Sequence, residues 1–265
     1  MTPSLQLRSI HLRVSDLARS LDFYVRQLGF LVVTQSDRQA RLTTDPAQSA
    51  DEALLLLTED RSAPPAAPDA AGLFHTALLL PDRAALGRWL RQAADAGVDF
   101  AGFSDHGVSE ALYLADPDGN GLEFYADRPR ETWPRENGVL TMGTLPLDVQ
   151  NLLDAGARTP PTKSPLTGAH WGHFHFRVTN LDRSEKFYSE ALGVTLTQRY
   201  GTSARFLAAD GYHHHLGLNT WGQPRQLHPD SALGLVEVAF TRTNASVPQN
   251  LRDPDGIALR ISLPA

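Results

Sequence analysis

Ten histidines and a complete lack of cysteine decide which chemistry this chain can do. Disulfides, thiolate metal sites and cysteine nucleophiles are excluded, which leaves imidazoles and carboxylates as the strong metal ligands. Four stretches concentrate these groups: His75 in GLFHTALLLPD; His106, Tyr113 and Glu123 in HGVSEALYLADPDGNGLE; His173 and His175 in WGHFHFRV; and His213, His214 and His215 in YHHHLGLN. Neutral imidazole with carboxylate suits a divalent first-row metal, and a histidine near neutral pH can both take and give a proton. A lone histidine on a strand is more often a hydrogen-bonded structural residue, so no single position carries a functional reading.

An internal repeat shows which elements must position these residues. IHLRVSDLARSLDFYVRQLGF from Ile10 and FHFRVTNLDRSEKFYSEALGV from Phe174 match in one register, with Arg19 and Arg183, Tyr24 and Tyr188, and Gly29 and Gly193 recurring. Each segment opens with apolar and polar residues in alternation, which is a strand. It then changes to helical spacing, Leu17, Leu21, Tyr24 and Leu28 making one apolar stripe, and stops at glycine. Two fainter pairs follow: GLFHTALLLPD with GLVEVAFTRT, and LADPDGNGLEFY with LRDPDGIALRIS. The chain therefore reads as four units, strand, helix, then further strands, with the fourth too short to keep its helix. This predicts an α+β fold of repeated βαβββ units, with a first domain at 1–127 (units 1–60 and 70–127), a linker at 128–169 and a second domain at 170–265 (units 170–222 and 233–265). The linker carries a predicted short helix, LDVQNLLDAG, and its charged and proline-rich parts read as solvated connectors.

Bulk properties narrow the partners. A net charge of -6 over 265 residues, with no run of Lys or Arg, gives no footprint for nucleic acid or an anionic membrane. The first residues lack a basic segment followed by an apolar one, and no apolar run is long enough to span a bilayer. A cytoplasmic, unprocessed protein acting on a small molecule is the expectation; the sequence leaves homo-oligomer formation open.

Paired units of this kind, with HLRV-like opening strands, DLxRSxxFY followed by LGF, and a closing DPDGNxxE, resemble the vicinal oxygen chelate superfamily across nearly the whole chain. That superfamily holds glyoxalase I, extradiol dioxygenases and antibiotic-resistance proteins. In its register the first-strand ligand stands five residues before the Val of the LRV element, and a carboxylate follows DPDG on the final strand. The resemblance implies that the units form two cupped sheets, with His75, Glu123 and His173 as ligands in a cup shared by units two and three. Units one and four would be the metal-free counterpart, with Ser9 and Arg260 at ligand positions. Two imidazoles and one carboxylate form the facial triad suited to Fe(II), with Mn(II) or another divalent metal as alternatives.

The stretch from His106 to Glu123 also resembles the extradiol ring-cleavage signature, departing from it only at Ser104. It implies that His106 is an acid-base or substrate-oxygen partner and that Tyr113 hydrogen-bonds the substrate. The YHHHLGLN tract resembles a family strand with a histidine facing the O2 side of the metal; register selects His214, with His213 and His215 on the other face or on a solvated strand end. Strand alternation puts Trp171, His173, His175 and Arg177 on one face; register prefers His173, and the match of His175 with His11, in a unit lacking a site, gives His175 a structural or supporting role. The implied function is non-heme Fe(II)-dependent meta cleavage of a catechol-type aromatic diol by O2, closest to two-domain catechol 2,3-dioxygenase-type enzymes. The alternatives are a glyoxalase I-like lyase or isomerase, and a binding or resistance protein without chemistry.

Overall fold

The four units appear in order along the chain. A computed structural model describes residues 3–159, 164–243, 245 and 247–264; part of the proline-rich loop, 160–163, lies outside them. Unit one comprises β1 (Leu5–Val14), α1 (Leu17–Leu21), β2 (Leu31–Gln35), β3 (Gln39–Thr43) and β4 (Leu55–Glu59). Unit two comprises β5 (Gly72–Leu79), α2 (Arg83–Asp95), β6 (Phe100–Asp105), β7 (Ser109–Ala115) and β8 (Gly121–Asp127). The linker holds a small ribbon, β9 (Arg135–Glu136) and β10 (Val139–Leu140), and the expected helix, α3 (Val149–Ala157). Unit three comprises β11 (His170–Arg177), α4 (Leu181–Leu192), β12 (Thr195–Tyr200), β13 (Ala204–Ala208) and β14 (Leu216–Asn219). Unit four keeps only β15 (Gly234–Arg242), β16 (Gln249–Arg252) and β17 (Ala258–Ser262), with no helix among its described residues.

The sheets do not follow chain order. Units two and three build an eight-stranded sheet, β12-β13-β14-β11-β5-β8-β7-β6, while units one and four build a seven-stranded sheet, β16-β17-β15-β1-β4-β3-β2. The sequence division at the linker into 1–127 and 170–265 is thus a division of the chain, not of the sheets. Each half supplies one unit to each sheet, because the opening strands pair with each other across the linker, β5 with β11 and β1 with β15, both antiparallel.

Local signals account for the elements. Asp16 and Asn180 cap α1 and α4 by accepting the backbone N–H groups of Arg19 and Arg183 at 3.0 and 2.9 Å. Gly193 ends α4 in the left-handed region at φ +72°, where a side chain would be strained. The apolar stripe after Leu17 does not stay in one regular helix: Asp22–Gln27 forms a wider π turn that buries Phe23 and Tyr24 together. On β8 the alternation is clean. Phe124 faces inward and stacks on Trp89 of α2, ring centroids 3.7 Å apart, and Glu123 on the opposite face points into the cup. One apolar core contains residues of both sheets and of α1, α2 and α4.

The DPDG turns explain why Arg19, Tyr24 and their repeats recur. Asp116 accepts the backbone N–H groups of Asp118 and Asn120 and the hydroxyl of buried Tyr24 at 2.9 Å. Asp253 does the same with Asp255, Ile257 and Tyr188, again at 2.9 Å. The second turn carboxylates, Asp118 and Asp255, accept from Arg19 and Arg183. Each turn is therefore held by the helix of the preceding unit, which belongs to the other sheet. Tyr24→Phe removes the donor from a buried carboxylate, so urea unfolding should show a loss of about 1–3 kcal/mol. An unchanged midpoint would show that this clamp contributes nothing.

Candidate metal centre

β5 lies between β8, to which it is parallel, and β11, to which it is antiparallel. Ala77 on β5 is the register partner of both Glu123 and His173, and His75 stands two residues earlier on the same face. The small alanine leaves room for three side chains to meet. Glu123 Oε2 lies 3.0 Å from His75 Nε2 and 3.1 Å from His173 Nε2, and the two imidazole nitrogens are 3.3 Å apart. Adjacent positions of an octahedron with bonds of about 2.1 Å are about 3.0 Å apart, so these atoms can occupy one face around a single divalent cation. All three residues are buried.

Electrostatics favour the same arrangement. Burial lowers the His173 pKa despite the nearby Glu123 charge, and lowers those of His175 and His214 strongly, their neighbouring imidazoles adding to it. These rings are held neutral, with lone pairs available. Burial opposes the Glu123 charge, but the His173 and His75 imidazoles outweigh it and hold the carboxyl well below its usual range.

His75, Glu123, His173, His106, Tyr113 and His214 line one cavity of about 310 Å³. His106 and Tyr113 form one wall, His106 Nε2 to Tyr113 hydroxyl 2.7 Å. The other ring nitrogen, Nδ1, lies 2.6 Å from the Gly143 carbonyl, which can only accept. Nδ1 therefore carries the hydrogen, and Tyr113 donates to Nε2. Burial and the Glu123 charge push the Tyr113 phenol well above its ordinary value, so it remains a donor. Opposite this pair the His214 ring packs on His173, centroids 4.1 Å apart.

Several expectations change. Trp171 does not share a face with His173: a bulge between them turns Trp171 into the apolar core, where its indole N–H donates to the Leu54 carbonyl at 2.7 Å. Gly172 in that bulge is needed for space, because a Cβ there would lie 1.8 Å from the Tyr125 hydroxyl. His213, His214 and His215 precede β14 rather than lying in it, so strand alternation does not set their directions. His213 and His214 are buried, His213 fully and beside Asp127 (2.8 Å), while His215 is half-buried and its Nδ1 accepts the Ala209 N–H at 3.1 Å. His175 lies between His75 and Trp221, receiving a hydrogen bond from Asn219 at 3.0 Å.

The linker contributes more than a connection. Leu145 exchanges backbone hydrogen bonds with Asp105 at the end of β6, which brings Gly143 to His106 and Met142 and Thr144 to the cavity wall. No motif marks these residues, nor the apolar wall of Phe74, Phe206 and Trp221, although Phe74 adjoins a candidate ligand in sequence.

Comparisons with known proteins agree with this geometry. The family described as Glyoxalase/Bleomycin resistance protein/Dioxygenase superfamily matches residues 6–124 and 170–244. Catechol-2,3-dioxygenase of Bacillus subtilis (strain 168) is 42% identical over 229 residues, 84% of this chain and 78% of that protein. Biphenyl-2,3-diol 1,2-dioxygenase 3 of Rhodococcus globerulus is 31% identical over 127 residues, 48% of this chain and 66% of that protein. Glyoxalase I from Zea mays shares the fold, with a TM-score of 0.56 at 17% identity, covering 97% of this chain and 92% of that one.

The surroundings of the His tract predict acid sensitivity. Burial, followed by the neighbouring His213, lowers the His215 pKa from 6.5 to about 4, and its Nδ1 must stay unprotonated to accept from Ala209. Folding therefore favours the neutral ring: the stabilisation, about 3 kcal/mol, is fully present above pH 6.5 and is lost as pH falls through about 4. His215→Asn keeps an acceptor but does not titrate. Its stability should fall less steeply than that of the parent between pH 6.5 and 4; parallel acid-unfolding curves would contradict the assignment.

Proposed function

Because the chain belongs to the Glyoxalase/Bleomycin resistance protein/Dioxygenase superfamily, we propose that it is an extradiol dioxygenase that opens a catechol-type aromatic diol with O2 at Fe(II) held by His75, Glu123 and His173. One observation carries this reading: the two-imidazole, one-carboxylate face opens into the same cavity as the hydrogen-bonded His106–Tyr113 pair and His214. The two curated relatives, both named for ortho-diol substrates, support it. Bound Fe(II) would supply the electron relay between ring and O2 that lowers the spin barrier to their reaction.

The chain's own groups do the rest. All three ligands come from the sheet, which leaves the cavity side open to substrate. The Tyr113 hydroxyl and His106 form a polar wall that can hydrogen-bond a diol oxygen, and His214 stands across the cavity to take or return a proton. Phe74, Phe206 and Trp221 offer an apolar wall against which the substrate ring would pack. Cleavage breaks one ring C–C bond beside the diol and puts both oxygen atoms of O2 into the product.

A glyoxalase-type reaction uses a metal with more protein ligands, commonly two carboxylates; among the described residues lining the cavity Glu123 is the sole carboxylate. Lys and Arg are also absent from that lining, so the proposed substrate is a neutral diol with apolar ring substituents.

Protein purified without air should contain iron, consume O2 with catechol and give a yellow ring-opened product; zinc or nickel with no O2 uptake would sink the reading. Glu123→Ala should lose both metal and activity. Tyr113→Phe should keep the metal while kcat falls by about tenfold to a hundredfold. An alkyl-substituted catechol should exceed a carboxylated one in kcat/KM by about tenfold or more, and equal values would remove the neutral-substrate assignment.

A further inference from the structure

A hydrogen-bonded chain runs from the cavity along the cup face of the eight-stranded sheet to the end of β8. His214 Nδ1 lies 2.7 Å from His213 Nδ1, and His213 Nε2 lies 2.8 Å from Asp127 Oδ1. The same oxygen accepts the Tyr212 hydroxyl at 3.2 Å, and the Tyr212 hydroxyl lies 2.8 Å from that of Tyr125. Asp127 does not line the cavity; it lines a separate cleft of about 980 Å³ between the sheets.

The end group sets the direction of every bond in this chain. A carboxylate can only accept, so His213 donates through Nε2 and Tyr212 through its hydroxyl, which then accepts from Tyr125. The His213 tautomer that carries its hydrogen on Nε2 has a bare Nδ1, and opposite it His214 donates through Nδ1. That leaves the His214 Nε2 lone pair on the cavity side. We propose that Asp127 and His213 are positioning residues that fix His214 in the tautomer presenting Nε2 to the substrate as a proton acceptor. Without them either tautomer is available, and the one with hydrogen on Nε2 is a donor that cannot take a proton from a diol hydroxyl. Complete burial of His213 makes the arrangement rigid: its ring is packed between Tyr212 (4.0 Å), Trp133 (5.1 Å) and His214 (4.7 Å), measured between centroids.

The inference rests on the ring-cleavage reading only for the identity of the proton donor; the tautomer can be measured independently. In zinc-loaded protein with nitrogen-labelled histidine, NMR at mildly alkaline pH should show His214 protonated on Nδ1 and His213 on Nε2. Asp127→Leu should turn the His214 signals into a mixture of tautomers. In iron-loaded enzyme the same change should lower kcat about tenfold or more with KM and iron content unchanged. Asp127→Asn retains an oxygen that can accept from His213, so it should restore most of the tautomer and most of the rate. A hydrogen on His214 Nε2 in the parent protein overturns the proposal, whether or not the Leu variant folds. A rate loss in Asp127→Leu with the His214 tautomer unchanged overturns it as well. The expected tautomer in a protein that takes up no O2 supports the positioning and removes only the ring-cleavage reading.

Discussion

The candidate centre depends on strand register at one alanine. Ala77 pairs with Glu123 on one side and His173 on the other, and that double pairing brings three residues, 50 and 98 positions apart in sequence, to within 3.3 Å. A slip of one residue in either pairing would send a ligand into the apolar core and a Leu or Phe into the cup. The core opposes such a slip, since Phe124 is locked against Trp89 and Phe174 packs among Trp171, Phe176 and Phe240. Apolar packing on one face of the sheet thus fixes polar geometry on the other. Neither face could be specified alone, because side-chain alternation makes them one pattern.

The clamp at the DPDG turns extends this constraint between sheets. Glu123 follows a turn whose Asp116 is held by Tyr24 and whose Asp118 is held by Ser15 and Arg19, all from unit one. Unit one gives the cavity no ligand and no lining residue, yet its helix fixes where β8 begins. This explains why its helix retains Arg19 and Tyr24 although its strand carries Ser9 where unit three carries His173. Arg19 and Tyr24 recur as Arg183 and Tyr188 because both turns need the clamp, whereas Ser9 and His173 differ at the metal face.

Much of the fold and centre was legible in the sequence because the repeat supplies two imperfect copies to compare. Tyr24 with Tyr188 and Gly29 with Gly193 reveal the units, and the register of the family they resemble is what singles out His75, Glu123 and His173 and a cup shared by units two and three. What could not be read is long-range or rests on a local irregularity. The bulge at Gly172 reverses Trp171, and alternation gives no warning of it. Gly143 reaches His106 only because Leu145 pairs with Asp105, a backbone contact that no side-chain pattern encodes. His213 looked like a candidate for the solvated end of a strand; its burial depends on Asp127, 86 residues away.

The second sheet shows how the same backbone handles charge without the triad. Ala239 takes the place of Ala77, with Ser9 and Arg260 as its register partners and Glu237 two residues before it, where His75 stands in the other sheet. There the Glu237 carboxylate is met by Arg260 Nε at 3.0 Å, so the chain supplies its own cation. In the first sheet Glu123 is buried at 3% exposure beside His75, His173 and the Tyr113 phenol, with no Arg or Lys lining its cavity, and burial opposes a positive charge on His173. An isolated buried carboxylate is costly, and hydrogen bonds from its neighbours offset only part of that cost. A divalent cation at the meeting point of the three ligand atoms would supply the charge that Arg260 supplies in the other sheet. The two cups thus differ at one electrostatic requirement: Glu237 is met by Arg260, whereas Glu123 faces a cavity whose described lining has no Arg or Lys.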